Sequence, residues 1–114
     1  MNFLEIAQDI YNTLGHGYSE SVYHNAFEVA LRARGISYQT ERILPITYMD
    51  HIIGNLRIDL LINGRTVIEL KATRRLSDDA VTQVKMYKTM LGLPDEEPAH
   101  VFNFGSNELQ HRII

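Results

Sequence analysis

The 114-residue chain contains no cysteine, and that absence removes two chemistries at once. Neither a disulfide framework nor a thiolate metal site is available, so any metal must sit on oxygen or imidazole ligands. Long apolar runs are missing too; none approaches the ~18 residues that a membrane-spanning helix needs. Met1-Asn2-Phe3-Leu4-Glu5 has neither the basic start nor the unbroken apolar stretch of a signal peptide. The expectation is an intracellular protein without membrane association, cytoplasmic or, in a eukaryotic host, in a nuclear or viral compartment. Repeats, low-complexity tracts and linkers are absent as well, which points to one domain over residues 1–114. A surplus of positive charge is also lacking. The formal net charge is −3, whereas proteins that bind nucleic acid by counterion release usually present a basic surface. Such binding would here require local positive charge, together with a metal that offsets clustered carboxylates.

Periodicity supplies the elements. Leu4, Ile6, Ala7, Ile10, Tyr11 and Leu14 recur at helical spacing, and Gly15 closes this first predicted helix. After Gly15-His16-Gly17, a second helix is predicted from Ser19 to Arg34, ended by Gly35. The period then shortens. Residues 36–42 and 44–49 read as two short strands parted near Pro45, and residues 50–55 as a turn. Residues 56–62 and 65–72 read as a hairpin around Asn63-Gly64. Ser77-Asp78-Asp79 starts a third helix, which stops at Gly92-Leu93-Pro94. Residues 101–104 and 109–113 complete the set as strands. The predicted order is α-α-β-β-β-β-α-β-β, an α+β fold (an α/β sandwich) with a mixed central β-sheet flanked by helices.

The segment Asp59-Leu-Leu-Ile-Asn-Gly-Arg-Thr-Val-Ile-Glu69-Leu-Lys71 carries the chemistry. Charged residues are rarely buried without a partner, yet Asp59, Glu69 and Lys71 interrupt runs that otherwise read as buried sheet. Alternation puts Glu69 and Lys71 on one face. Asp59 joins them only if the hairpin loop has an odd length or an equivalent bulge intervenes. A three-residue loop of Ile62-Asn63-Gly64 would place Asp59 opposite Val67, one diagonal step from Glu69. Two carboxylates can hold Mg²⁺ or Mn²⁺ while leaving sites for water and a phosphate oxygen. A lysine beside them can orient that water or steady developing negative charge. The competing reading is a cross-strand ion pair on a solvated face, but the flanking Ile58, Leu60, Leu61, Val67, Ile68 and Leu70 leave no polar face for it. Glu20 and Tyr23 share one side of the second helix, and Gln83 and Tyr87 one side of the third. Taken alone, these pairs read as a helix-dipole partner with a core tyrosine, and as a buried polar pair.

Taken in order, Gly17-x-x-Glu20-x-x-Tyr23, Arg57-x-Asp59, Ile68-Glu69-Leu70-Lys71-Ala72, Gln83 with Tyr87, Asn103-Phe104 and Arg112 resemble the GxxExxY family of the PD-(D/E)XK nuclease superfamily. The likeness runs from about Ile6 to Ile113. It implies a restriction-endonuclease-like core, and a nuclease that hydrolyses the phosphodiester bonds of nucleic acid with Mg²⁺ or Mn²⁺, DNA ahead of RNA. It also implies roles. Asp59 and Glu69 match the metal-ligand carboxylates, with the Leu70 backbone carbonyl as a further ligand and Glu20 reaching the metal through water. Lys71 matches the catalytic lysine, and Gln83 and Tyr87 resemble a Gln-x-x-x-Tyr motif that orients the lysine or the substrate. His16, Tyr18 and Ser19 depart from the proline and two apolar residues common in relatives.

Arg74, Arg75, Lys85 and Lys88 are the candidate phosphate-backbone contacts, against a solvated charged face as the plainer reading. The acidic run Asp95-Glu96-Glu97 is expected on a surface loop away from the site. Two alternatives stay open: a non-catalytic nucleic-acid-binding or regulatory module on the same fold, and a small oligomerising domain with a structural ion cluster. A domain this small has little surface to enclose a strand, so a homo-oligomer or a partner protein is a further expectation.

Overall fold

The computed structural model describes residues 2–114. Across them run α1 (Phe3–Leu14), α2 (Glu20–Ala33), β1 (Tyr38–Tyr48), β2 (His51–Ile62), β3 (Thr66–Lys71), α3 (Asp78–Met90), β4 (His100–Asn103) and β5 (Gln110–Ile113). Local chemistry sets the helix starts. The Asn2 side chain accepts from the Glu5 N–H at the head of α1, and the Ser77 hydroxyl accepts from the Ala80 N–H at the head of α3. Gly15, with φ 69°, turns the chain out of α1.

The strands lie in the order β1-β2-β3-β4-β5. Neighbours are antiparallel except β3 and β4, which are parallel. That parallel pair requires a crossover, and α3 supplies it. Both faces of the central strands are covered. Phe3, Ile6, Ile10, Tyr23, Phe27 and Leu31 of α1 and α2 pack on Leu60, Ile62, Ile68, Leu70, Phe102 and Phe104. Ala80, Val84 and Tyr87 of α3 pack on Ile58, Leu61, Val67 and Val101. A sheet buried on both sides explains why residues 66–71 read as a nearly unbroken apolar run. The architecture is α+β with a mixed sheet, as the order of predicted elements implied.

Three expectations are corrected. Residues 36–42 and 44–49 are not separate strands: β1 is continuous through Pro45, which pairs with Asn55 on the sheet edge, where a missing N–H costs no ladder bond. Residues 50–55 are not a turn either. The turn is confined to Met49 and Asp50, with φ 49° and 64°, and β2 already begins at His51. The polar residues that suggested a turn sit in a solvated two-stranded arm. The third correction concerns the β2–β3 loop, which is odd in length but consists of Asn63-Gly64-Arg65, so Ile62 pairs with Thr66 and Leu61 with Val67. Asn63 (φ 52°) and Gly64 (φ 74°) both take the left-handed conformation that such a turn demands. No helix among the described residues is long and apolar enough to cross a membrane.

Candidate active site

The ladder between β2 and β3 has three rungs and ends at Leu60–Ile68. Asp59 stands where the strands part. Its Oδ2 accepts a 2.9 Å hydrogen bond from the Leu70 N–H, so a side chain replaces the rung that β2 no longer offers. The β1–β2 ladder also skips this point: Thr40–Leu60 and Arg42–Ile58 pair, but Glu41 and Asp59 do not. Glu41 sits at φ 52°, a conformation uncommon for a residue with a Cβ. On the far side of the fork the Tyr87 hydroxyl donates to the Arg57 carbonyl at 2.8 Å. A carboxylate and a phenol therefore staple the opening.

Glu69 points into this fork from β3. It is 3% exposed, and its Oε1 has no hydrogen-bond partner. Such an orphaned oxygen is costly in a folded interior. The Lys71 ammonium lies 3.7 Å from Glu69 Oε2 and donates to Gln83 Oε1 at 3.4 Å. Burial, then the negative charge of Asp59, hold the Glu69 carboxyl well above the ordinary carboxylate range, against the opposing pull of Lys71. Glu20 is also raised, by partial burial and then by Asp59. Burial and next Glu69 push the Tyr87 phenol upward, so it stays a donor.

Asp59 also borders an open cleft of about 430 Å³ shared with Glu20, His24, Glu28, Thr40 and Glu41. Lys71 and Gln83 border a different groove with Thr73, Ser77 and Met86. Arg57 also lines the first cleft and Asp79 the second; Arg74 and Arg75 are exposed in the loop after β3, and Lys85 is exposed on α3. Of the expected residues, Glu20, Asp59, Glu69 and Lys71 are close enough to act on one another's charge, Gln83 meets Lys71, and Tyr87 feels the Glu69 carboxyl. Lys88 does not belong with the candidate phosphate contacts. It is 7% exposed, and its ammonium donates to the carbonyls of Asp95 (3.2 Å) and Ile114 (3.1 Å), tying α3 to the following loop and the chain end. The acidic loop lies at the opposite end of β3 from Lys71, where Glu97 accepts from the Thr66 hydroxyl. His16 is exposed.

His24 was not singled out from the sequence, and Asn103 and Tyr23, both named there, turn out to hold loops beside the site. His24 bonds Thr40 at 2.7 Å and Glu28 at 3.1 Å inside the acidic cleft; Glu20, His24 and Glu28 form a polar stripe at helical spacing, a signal that was available. Asn103 is fully buried. Its Nδ2 donates to the Thr73 carbonyl and to Gln110 Oε1, and its Oδ1 accepts from the Thr73 N–H, which pins the loop after Lys71. One amide inside Val101-Phe102-Asn103-Phe104 was the clue. Gly105 permits this closeness, since a Cβ there would collide with the Thr73 carbonyl oxygen. Tyr23 is fully buried, stacks on Phe104 at 4.6 Å and donates to the Gly15 carbonyl at 2.6 Å, holding the loop that leads into Glu20.

A family model described as the PD-(D/E)XK nuclease superfamily matches residues 1–114. The chain belongs to that superfamily. No curated protein and no solved structure matches it. Three helices around a five-stranded mixed sheet agree with a PD-(D/E)XK core. Membership points to a nuclease acting on nucleic acid, in a superfamily whose members typically use divalent metals. Among the described residues no three His, Asp or Glu side chains converge as a ready-made metal cage. Two carboxylates with one unsatisfied oxygen do suit a hard divalent cation that keeps part of its water.

Proposed function

We propose that this chain is a Mg²⁺- or Mn²⁺-dependent nuclease of the GxxExxY kind, hydrolysing phosphodiester bonds with DNA ahead of RNA as substrate. The reading rests above all on one observation, the buried and partnerless Glu69 oxygen beside Asp59 in the strand fork. Asp59 and Glu69, with the Leu70 carbonyl and Glu20 through water, would hold the cation, which when bound supplies positive charge to the phosphate and acidifies water. The protein's own contribution is positional. Asp59 is fixed by the Leu70 N–H and cannot swing away without orphaning it. Lys71 places an ammonium beside the carboxylates, where it stabilises charge that builds on the phosphate oxygens as water attacks and the P–O ester bond breaks. Gln83 holds that ammonium from α3. Tyr87 keeps its proton and braces the fork through Arg57. Arg74, Arg75 and Lys85 offer the exposed positive charge for phosphate contacts.

The test is cleavage of single- and double-stranded DNA and RNA, with Mg²⁺ or Mn²⁺ and with chelator. Cleavage is expected only with metal, and to fall by about 10²–10³-fold or more in Asp59→Asn, Glu69→Gln and Lys71→Met, each still folded by circular dichroism. Folded, metal-loaded protein that cuts none of these nucleic acids, at any end or internal site, rules out the enzymatic reading.

A further inference from the structure

The two histidines of the β4–β5 pair take no part in the site just described. His111 sits opposite Phe102, two residues on from His100, so both imidazoles share one face of the sheet in diagonal register. His100 Nδ1 and His111 Nε2 are 3.0 Å apart. The ring centres lie 5.2 Å apart and the planes within 13° of parallel, so the rings meet tip to tip and not face to face. Aromatic neighbours fix them there: His111 stacks on Phe102 at 4.5 Å, and Phe3 meets His100 edge-on at 5.6 Å. One nitrogen of the facing two must donate and the other accept, so a single proton bridges them.

Two neutral imidazoles at this spacing are also a chelate. Burial, then the neighbouring His111, hold the His100 imidazole down to about 4, and burial lowers His111 as well. Both rings are therefore neutral at pH 7, the form that binds metal. Nitrogens 3.0 Å apart and roughly 2.0–2.1 Å from one zinc ion subtend about 94°, and a tetrahedral angle needs them only ~0.3–0.4 Å further apart. The other ring nitrogens, His100 Nε2 and His111 Nδ1, can carry the protons. Neither is both sealed and partnerless, a state found among the described residues at Glu69 Oε1 alone. An open cavity of about 480 Å³ beside His100, bordered by Phe3, Thr66 and Glu97, supplies the entry path. Glu97 is already engaged by the Thr66 hydroxyl and by Arg65. Among the described residues no third His, Asp or Glu converges on the pair, so water would complete the coordination. Imidazole alone selects Zn²⁺, Ni²⁺ or Cu²⁺ over the hard cations that carboxylates favour.

We infer that His100 Nδ1 and His111 Nε2 form a separate site for one late first-row divalent ion, Zn²⁺, Ni²⁺ or Cu²⁺, which takes the place of the bridging proton. That proton moves to the far nitrogen of its own ring, so binding releases none at pH 7. The ion clamps β5, an edge strand of four residues, onto β4. The site does not depend on the nuclease reading, since neither histidine is assigned to it. Calorimetric titration of Zn²⁺ into the full chain at pH 7, with excess Mg²⁺ to occupy the carboxylates, tests it in two buffers of differing ionisation heat. One imidazole site is expected, with the same heat in both buffers and affinity at least about 10-fold weaker in His100→Gln and in His111→Gln. His16→Gln and His51→Gln, at exposed positions, should leave it unchanged. Long-range ¹H–¹⁵N spectra of the wild-type chain need no variant. Zn²⁺ should move the His100 and His111 ring nitrogens to metal-bound positions and leave those of His16 and His51 in place. Zn²⁺ affinity that is the same in both pair variants as in wild type, or spectra in which His100 and His111 do not respond, overturns the inference.

Discussion

From Leu60 to Ile62, β2 is buried to within 1% exposure between helical layers, whereas Ile52 and Ile53 of the same strand are exposed by 67% and 65%. Apolar side chains alone do not separate the two ends, since isoleucine stands in both. What separates them is the neighbour. The buried end has β3 on one side, α1 and α2 above and α3 below; the outer end has only β1. The candidate site falls at the boundary between these regimes. There the backbone rungs run out, and Asp59 and Tyr87 supply hydrogen bonds in their place. A packed sheet margin can thus hold charged groups in fixed positions that neither a full ladder nor a solvated ribbon would offer.

The largest test of this contrast is truncation at each end. Leu60→Ala should cost about 2–5 kcal/mol of unfolding free energy, because it opens a cavity in a fully enclosed layer. Ile52→Ala, in dilute protein, should stay within about 0.5 kcal/mol. Denaturant titration of both variants checks it, and equal losses would erase the distinction.

A smaller effect of opposite sign is expected in the fork. The Glu69 carboxyl is raised above its unfolded value, so between those two values the folded state binds more protons than the unfolded one. Its contribution to stability is complete below the unfolded pKa and is lost as pH rises through the folded one. Metal-free Glu69→Gln should therefore be more stable than wild type at mildly alkaline pH, on the order of 1–3 kcal/mol, and the gain should shrink toward acid pH. Thermal melts in chelator across that range measure it. A Glu69→Gln protein less stable than wild type at alkaline pH would mean that the carboxylate is satisfied as it stands.

Much of the site was legible because charge inside an apolar run has few innocent explanations. Asp59, Glu69 and Lys71 stood out against Ile58, Leu60, Val67, Ile68 and Leu70 for that reason alone. Their exact relation was not legible. Register depends on which residues form the loop, and Asn63-Gly64 is compatible with several loops until Thr66 finds Ile62. The arm was misread because His51, Gly54 and Asn55 carry turn chemistry, and only the pairing with β1 makes them strand. Lys88 was misread for the converse reason. A lysine on a helix defaults to solvent, and the carbonyls that draw it inward come from Asp95 and from Ile114 at the far end of the chain. Local pattern reports what a residue prefers; these three positions are decided by partners distant in sequence.

The central claim, that Asp59 and Glu69 form one divalent-cation site, is tested most directly by calorimetric titration of Mn²⁺ into the folded chain at neutral pH, in buffers of differing ionisation heat. One site is predicted, with net proton release because the raised Glu69 carboxyl must ionise to bind, and with both signals lost in Asp59→Asn and Glu69→Gln. Mn²⁺ affinity that is unchanged in the two variants would contradict it.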